Sequence, residues 1–154
     1  MTTAPLMIIG VGNRLRGDDE AGLLAATALR AKLPGASVLE VEQRPLDLYA
    51  RWTPGSEVVV IDAACSGVRP GTVRRFDARS GPLPAELARR STHATGLHEA
   101  VELARALDCL PASLVVYTIE GEAFERGARM SQPVARAVLE VVTLVADEWR
   151  GRHA

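Results

Sequence analysis

The 154-residue chain predicts an α/β domain, a mostly parallel sheet with helices on both of its faces. Three observations carry that expectation. Short continuous apolar runs at Leu6–Ile9, Val58–Ile61 and Leu114–Ile119 read as strands buried on both faces. Segments with helical spacing alternate with them. Proline, glycine and polar residues punctuate the junctions.

The first strand, Leu6–Ile9, ends at Gly10, and a loop runs from Gly10 to Asp18. Leu23, Leu24, Ala26, Thr27, Leu29, Arg30 and Leu33 then recur at helical spacing, and Pro34-Gly35 stops that helix. Val38, Leu39 and Val41 make a second strand. Two prolines and Trp52 mark residues 44–55 as a loop with a short helix around Leu46–Arg51. Val58–Ile61 is the strongest strand signal, four β-branched residues followed by Asp62. After the turn at Pro70-Gly71, Thr72–Phe76 alternates apolar and basic residues, as a half-exposed edge strand does. Gly81–Arg90 reads as irregular. A helix over about Leu97–Leu107 precedes the strand Leu114–Ile119. The last helix opens at Ser131, a good N-cap, with Pro133 in its first turn and Val134, Val138, Val141, Val142 and Val145 on its apolar side.

Composition narrows the function. The chain is 47% hydrophobic and 24% charged, long enough for one domain spanning residues 1–154 with a real core. Its 18 basic and 19 acidic residues are interleaved, for a formal net charge of −1. Nucleic acid and anionic membrane are therefore not expected partners. Two cysteines, Cys65 and Cys109, make no disulfide framework and suit a reducing compartment. No apolar run approaches the roughly 20 residues that span a bilayer. The expectation is a cytoplasmic, monomeric, single-domain enzyme or binding module.

In open α/β sheets the ligand crevice lies at the carboxyl ends of the strands. That rule selects the loop after Ile9, the residues after Ile61 and the loop after Ile119. The first of these, Gly10–Glu20, fails as a dinucleotide fingerprint because its third glycine should fall at Leu15. It fails as a phosphate loop because Asp18-Asp19 replace the required lysine and hydroxyl residue, and carboxylates repel phosphate. The acids Asp18, Asp19 and Glu20 suit the first turn of a helix, with Asp18 or Asp19 as its N-cap. Asp62, at the carboxyl end of a central strand, opens on the same crevice as a metal ligand or general acid/base. Asp19 and Asp62 with His93 offer two oxygens and one nitrogen, a set suited to a divalent transition ion, with coordination positions left open. His98 and Glu99 begin no zinc motif and are expected on the exposed side of their helix. Neither Cys65 nor Ser66 has a histidine base nearby in sequence.

Four segments, in order, resemble one known family. Gly10-Val11-Gly12-Asn13 followed by Gly17-Asp18-Asp19 is similar to the opening of the nickel–iron hydrogenase maturation endopeptidases. Val59–Ala63 is similar to their second acidic site, and Ser91-Thr92-His93 with Gly96-Leu97 to their histidine segment. Leu114–Glu122 and Met130–Val134 resemble their closing strand and last helix.

The resemblance implies a twisted five-stranded α/β/α sandwich. It also implies removal of a C-terminal extension from the hydrogenase large-subunit precursor once nickel has been inserted. Asp19, Asp62 and His93 would contact that nickel, which the client supplies, and no organic cofactor is implied. Either carboxylate can serve as ligand or as base for the attacking water. The family often has glutamate at the position of Asp19, and Glu20, next in the chain, has the longer reach. The other reading of the same residues is a non-catalytic module that binds the metal or the hydrogenase client without cutting.

Overall fold

The computed structural model describes residues 4–42, 45–88 and 96–152. Five strands form one sheet: β1 (Leu6–Gly12), β2 (Ser37–Glu42), β3 (Glu57–Ala64), β4 (Val73–Asp77) and β5 (Ser113–Glu120). Their order across the sheet is β2-β1-β3-β5-β4. The first four neighbours run parallel, and β4 alone is antiparallel, hydrogen-bonded to β5 at the edge. The expected edge strand is thus an edge strand, and its alternation of charged and apolar residues reflects one face turned to solvent.

Among the described residues, three α-helices cover the sheet: α1 (Ala21–Lys32), α2 (Leu97–Ala106) and α3 (Gln132–Arg152). Because side chains alternate along a strand, each apolar run supplies both layers. Ile8, Ile61, Val115, Tyr117 and Ile119 face α1 and α3. Ile9, Val58, Val60, Leu114 and Val116 face α2 and the short 3-10 segment Pro45–Ala50. The valine row of α3 meets the first layer, with Val134, Val138, Val141, Val142 and Val145 all buried. Each such side chain contributes about 1.5–3 kcal/mol of burial. Among the described residues, no helix is long and apolar enough to cross a membrane.

Two contacts aim the helices at the crevice. The backbone of α1 rests directly on the sheet at Gly22, where a Cβ would lie 2.2 Å from the Ile61 carbonyl oxygen and 2.4 Å from that of Val11. Only glycine permits this approach, which brings the start of α1 beside the residue that precedes Asp62. At the other end, α2 returns the chain to the amino ends of the strands, where Ala112 N–H donates to the Pro54 carbonyl. Its N-terminus therefore points toward the carboxyl ends.

Candidate active site

Asp62 lies inside β3, two residues before its end, paired in register with Thr118 of β5. Val58 and Val60 bury on the α2 side, so alternation turns Asp62 to that side as well. The residue keeps a partly open surface, yet its carboxyl is densely enclosed by protein. Burial pushes its pKa well above the usual carboxylate range, the negative charge of Asp19 adds to that, and a hydrogen bond from the Ala63 backbone opposes it. A carboxyl raised by desolvation and a like charge is what catalytic crevices build.

The three acids of the first loop form a 3-10 turn, Gly17–Glu20, immediately before α1. With three residues per turn, successive side chains point about 120° apart. Each of the three consequently meets different company. Asp18 is fully buried and accepts hydrogen bonds from the backbone N–H groups of Glu122, Ala123 and Ser131, at 2.7–2.9 Å. Asp19 is half-buried, its Oδ2 accepts from Asn13 Nδ2 at 2.9 Å, and its charge acts on Asp62. Glu20 lies 3.9 Å from Arg14, which also pairs with Glu40 at 2.6 Å.

The expectation of an N-cap at Asp18 or Asp19 is corrected here. Arg16 holds the cap position of the turn and Glu20 that of α1, and neither end is capped by a side chain. The tertiary bonds of Asp18 won over the local role. Asn13 also clamps Asp19 through the main chain, its N–H donating to the Asp19 carbonyl at 3.1 Å.

A further acid, at the end of β5, drew no role from sequence reasoning. Glu120 ends β5 almost fully buried; it accepts from Ser66 N–H at 2.8 Å, Ser66 Oγ at 2.7 Å and Gly67 N–H at 3.1 Å. It braces the loop that leaves β3 just past Asp62. The signal was the same one that marked Asp62, an acid closing a buried apolar strand. Ser66 contributes both its N–H and its hydroxyl to this brace.

His93 lies outside the described residues. The chain resumes at Gly96, the N-cap of α2, on the same face of the sheet as Asp62. His98 and Glu99, expected to be exposed, are half-buried, and Glu99 Oε2 is enclosed with no hydrogen-bond partner. Among the described residues, no three histidine, cysteine or acidic side chains are grouped to hold a metal ion. Asp19 and Asp62 make a two-carboxylate pair, which falls short of a closed metal site.

The family model for HycI, the hydrogenase maturation proteases, matches residues 42–148, more than half of the chain. The chain belongs to the hydrogenase maturation protease family. The matched span includes Asp62 and position 93 and begins after Asp19. Among curated relatives, the hydrogenase expression/formation protein HoxM of Azotobacter vinelandii is 28% identical over 153 residues, covering 97% of this chain and 73% of that protein. Among solved structures, the [NiFe] hydrogenase maturation protease HybD of Thermococcus kodakarensis is 28% identical at a TM-score of 0.68, covering 92% of this chain and 96% of that one. The hydrogenase maturating endopeptidase HybD of E. coli shares the fold at a TM-score of 0.79 and 20% identity, over 96% of this chain and 93% of that one. The five-stranded α/β architecture of this hydrogenase maturation protease is thus that of its solved relatives.

Proposed function

We propose that this chain removes a C-terminal extension from the nickel-loaded large-subunit precursor of a [NiFe] hydrogenase, with the nickel carried in by the client. The observation that carries the reading is the electrostatic coupling of Asp19 and Asp62 at the carboxyl end of the sheet. Two close carboxylates form a sink for positive charge. Burial and the charge of Asp19 both disfavour a negative charge on Asp62, and a cation held between the two carboxylates would relieve that penalty.

An incomplete ligand set suits discrimination. A protease with a closed hydrolytic metal site of its own would cut nickel-free precursor too. One that offers only Asp19, Asp62 and His93 waits for the ion to arrive on its substrate. Nickel so placed supplies Lewis acidity toward the scissile carbonyl or an attacking water. The chain's own part is to orient oxygen ligands: Asn13 fixes one oxygen of Asp19, and the strand fixes Asp62. The Arg14 contact of Glu20 favours Asp19 over Glu20 as the first-loop ligand. His93 would add a neutral nitrogen. The expected setting is a cytoplasmic monomer that meets its client transiently and needs no organic cofactor.

Intact-mass spectrometry of a cognate precursor, incubated with this protein with and without nickel, tests the reading. A discrete C-terminal loss in the nickel-loaded sample alone is expected. Loss in both samples removes client-borne nickel from the mechanism. Complex formation without mass loss converts the protein into a binding module.

A further inference from the structure

Asp18 and Asp19 are adjacent acids with separate work, and the geometry around Asp18 is the more constrained. Its carboxylate meets four donors: the N–H groups of Glu122 and Ala123 at 2.9 Å on Oδ2, Ser131 N–H at 2.7 Å on Oδ1, and Ser131 Oγ at 2.9 Å from Oδ2 and 3.1 Å from Oδ1. Its own N–H donates to the Ala123 carbonyl at 2.8 Å. These partners lie 104–113 residues away in sequence, all on the connection between β5 and α3.

Shape enforces the same contact. Gly121 leaves room for the side chain, since a Cβ there would lie 2.8 Å from the Asp18 Cβ. Gly17 takes a positive φ of 53°, and a Cβ on it would strike the Ala123 carbonyl oxygen at 2.2 Å. The turn and the connection are thus in close contact at both glycines. A charged group accepting this many hydrogen bonds is also held far more firmly than a neutral cap.

We propose that Asp18 is a positioning residue for the cleavage reaction, locking the Gly17–Glu20 turn to the β5–α3 connection so that Asp19 stays directed at the carboxyl end of β3. The inference rests on the proposed role of Asp19 and Asp62. Because the turn is a single 3-10 cycle, rotation of Asp18 out of its nest carries Asp19 with it. A carboxylate misplaced by about 1 Å can cost up to about a hundredfold in rate.

The test compares Asp18→Asn, Asp18→Ala and Ser131→Ala with wild type on nickel-loaded precursor, well below each variant's melting temperature. Asn keeps one acceptor oxygen and turns its amide toward donors, so its kcat should fall about tenfold to a hundredfold while KM stays within about twofold. Asp18→Ala should lose more, and Ser131→Ala, which removes one donor, only several-fold. The loss should fall on kcat and leave KM nearly unchanged. A purely structural Asp18 would lower the melting temperature and leave kcat of the folded protein unchanged, which overturns the proposal. If both Asp18 variants fail to fold, Ser131→Ala decides: a wild-type kcat in that variant also overturns it. Failure of wild type to cut any loaded precursor counts instead against the proposed function.

Discussion

The negative charge of Asp19 bears on Asp62 and, after burial, is the second cause that holds the Asp62 carboxyl well above its usual pKa. That relationship has a thermodynamic consequence in the metal-free protein. A carboxyl whose folded pKa exceeds its unfolded value stabilises the fold fully below the unfolded value, about 3.9 for Asp. The contribution is lost as pH rises through the folded value. Asp62→Asn removes that loss. The variant's melting temperature should therefore exceed that of wild type at neutral pH, and the difference should grow as pH rises from about 4. Calorimetry of both proteins across pH checks it, and a difference that is flat or shrinks with pH contradicts the coupling.

Asn13 holds Asp19 by side chain and by main chain. Asn13→Ala keeps the main-chain bond and drops the other. The expected result is a kcat lower by about tenfold or more, with a stability loss of only about 1 kcal/mol. Steady-state cleavage beside urea unfolding measures both.

Gly22 is the point where α1 touches the strand that bears Asp62. Gly22→Ala forces a methyl into carbonyl oxygens 2.2 and 2.4 Å away, both rigid backbone. Helix and sheet must separate, and a cost at or above the roughly 3 kcal/mol upper end of overpacking is expected. Chemical denaturation tests this, and a near-neutral substitution would contradict the tight seating of α1.

Glu120 braces Ser66 and Gly67 with three bonds. Glu120→Ala should destabilise by about 1–3 kcal/mol for each donor left buried and unpaired. It should also raise hydrogen exchange at the Ser66 and Gly67 amides, which mass spectrometry or NMR can follow.

These residues also show what a sequence can and cannot display. The apolar runs that became β1, β3 and β5 are local patterns, so the sheet and its crevice were legible, as was the edge position of β4. Asp62 was legible because an acid interrupts a buried run; it lies within the strand rather than after it. The Asp18 role was not, because its partners are about a hundred residues away and their donors are backbone N–H groups, which carry no residue signature. Glu120 carried the same signal as Asp62, an acid closing a buried apolar strand, but its bracing of Ser66 and Gly67 is a tertiary contact that the strand pattern does not display. A run of acids before a helix reads as dipole chemistry, and only tertiary contacts separate Asp18, Asp19 and Glu20 into a buried anchor, a partner of Asn13 whose charge acts on Asp62, and a surface pair. His93 was named from the sequence and lies outside the described residues.

In the proposed reaction Asp19 and Asp62 act together on a client that brings its own nickel. Single-turnover cleavage of nickel-loaded precursor by wild type, Asp19→Asn and Asp62→Asn, followed by intact mass, tests it most directly. The expected result is a discrete C-terminal loss with wild type and none on the same timescale with either folded variant. Cleavage at the wild-type rate by either variant would contradict it.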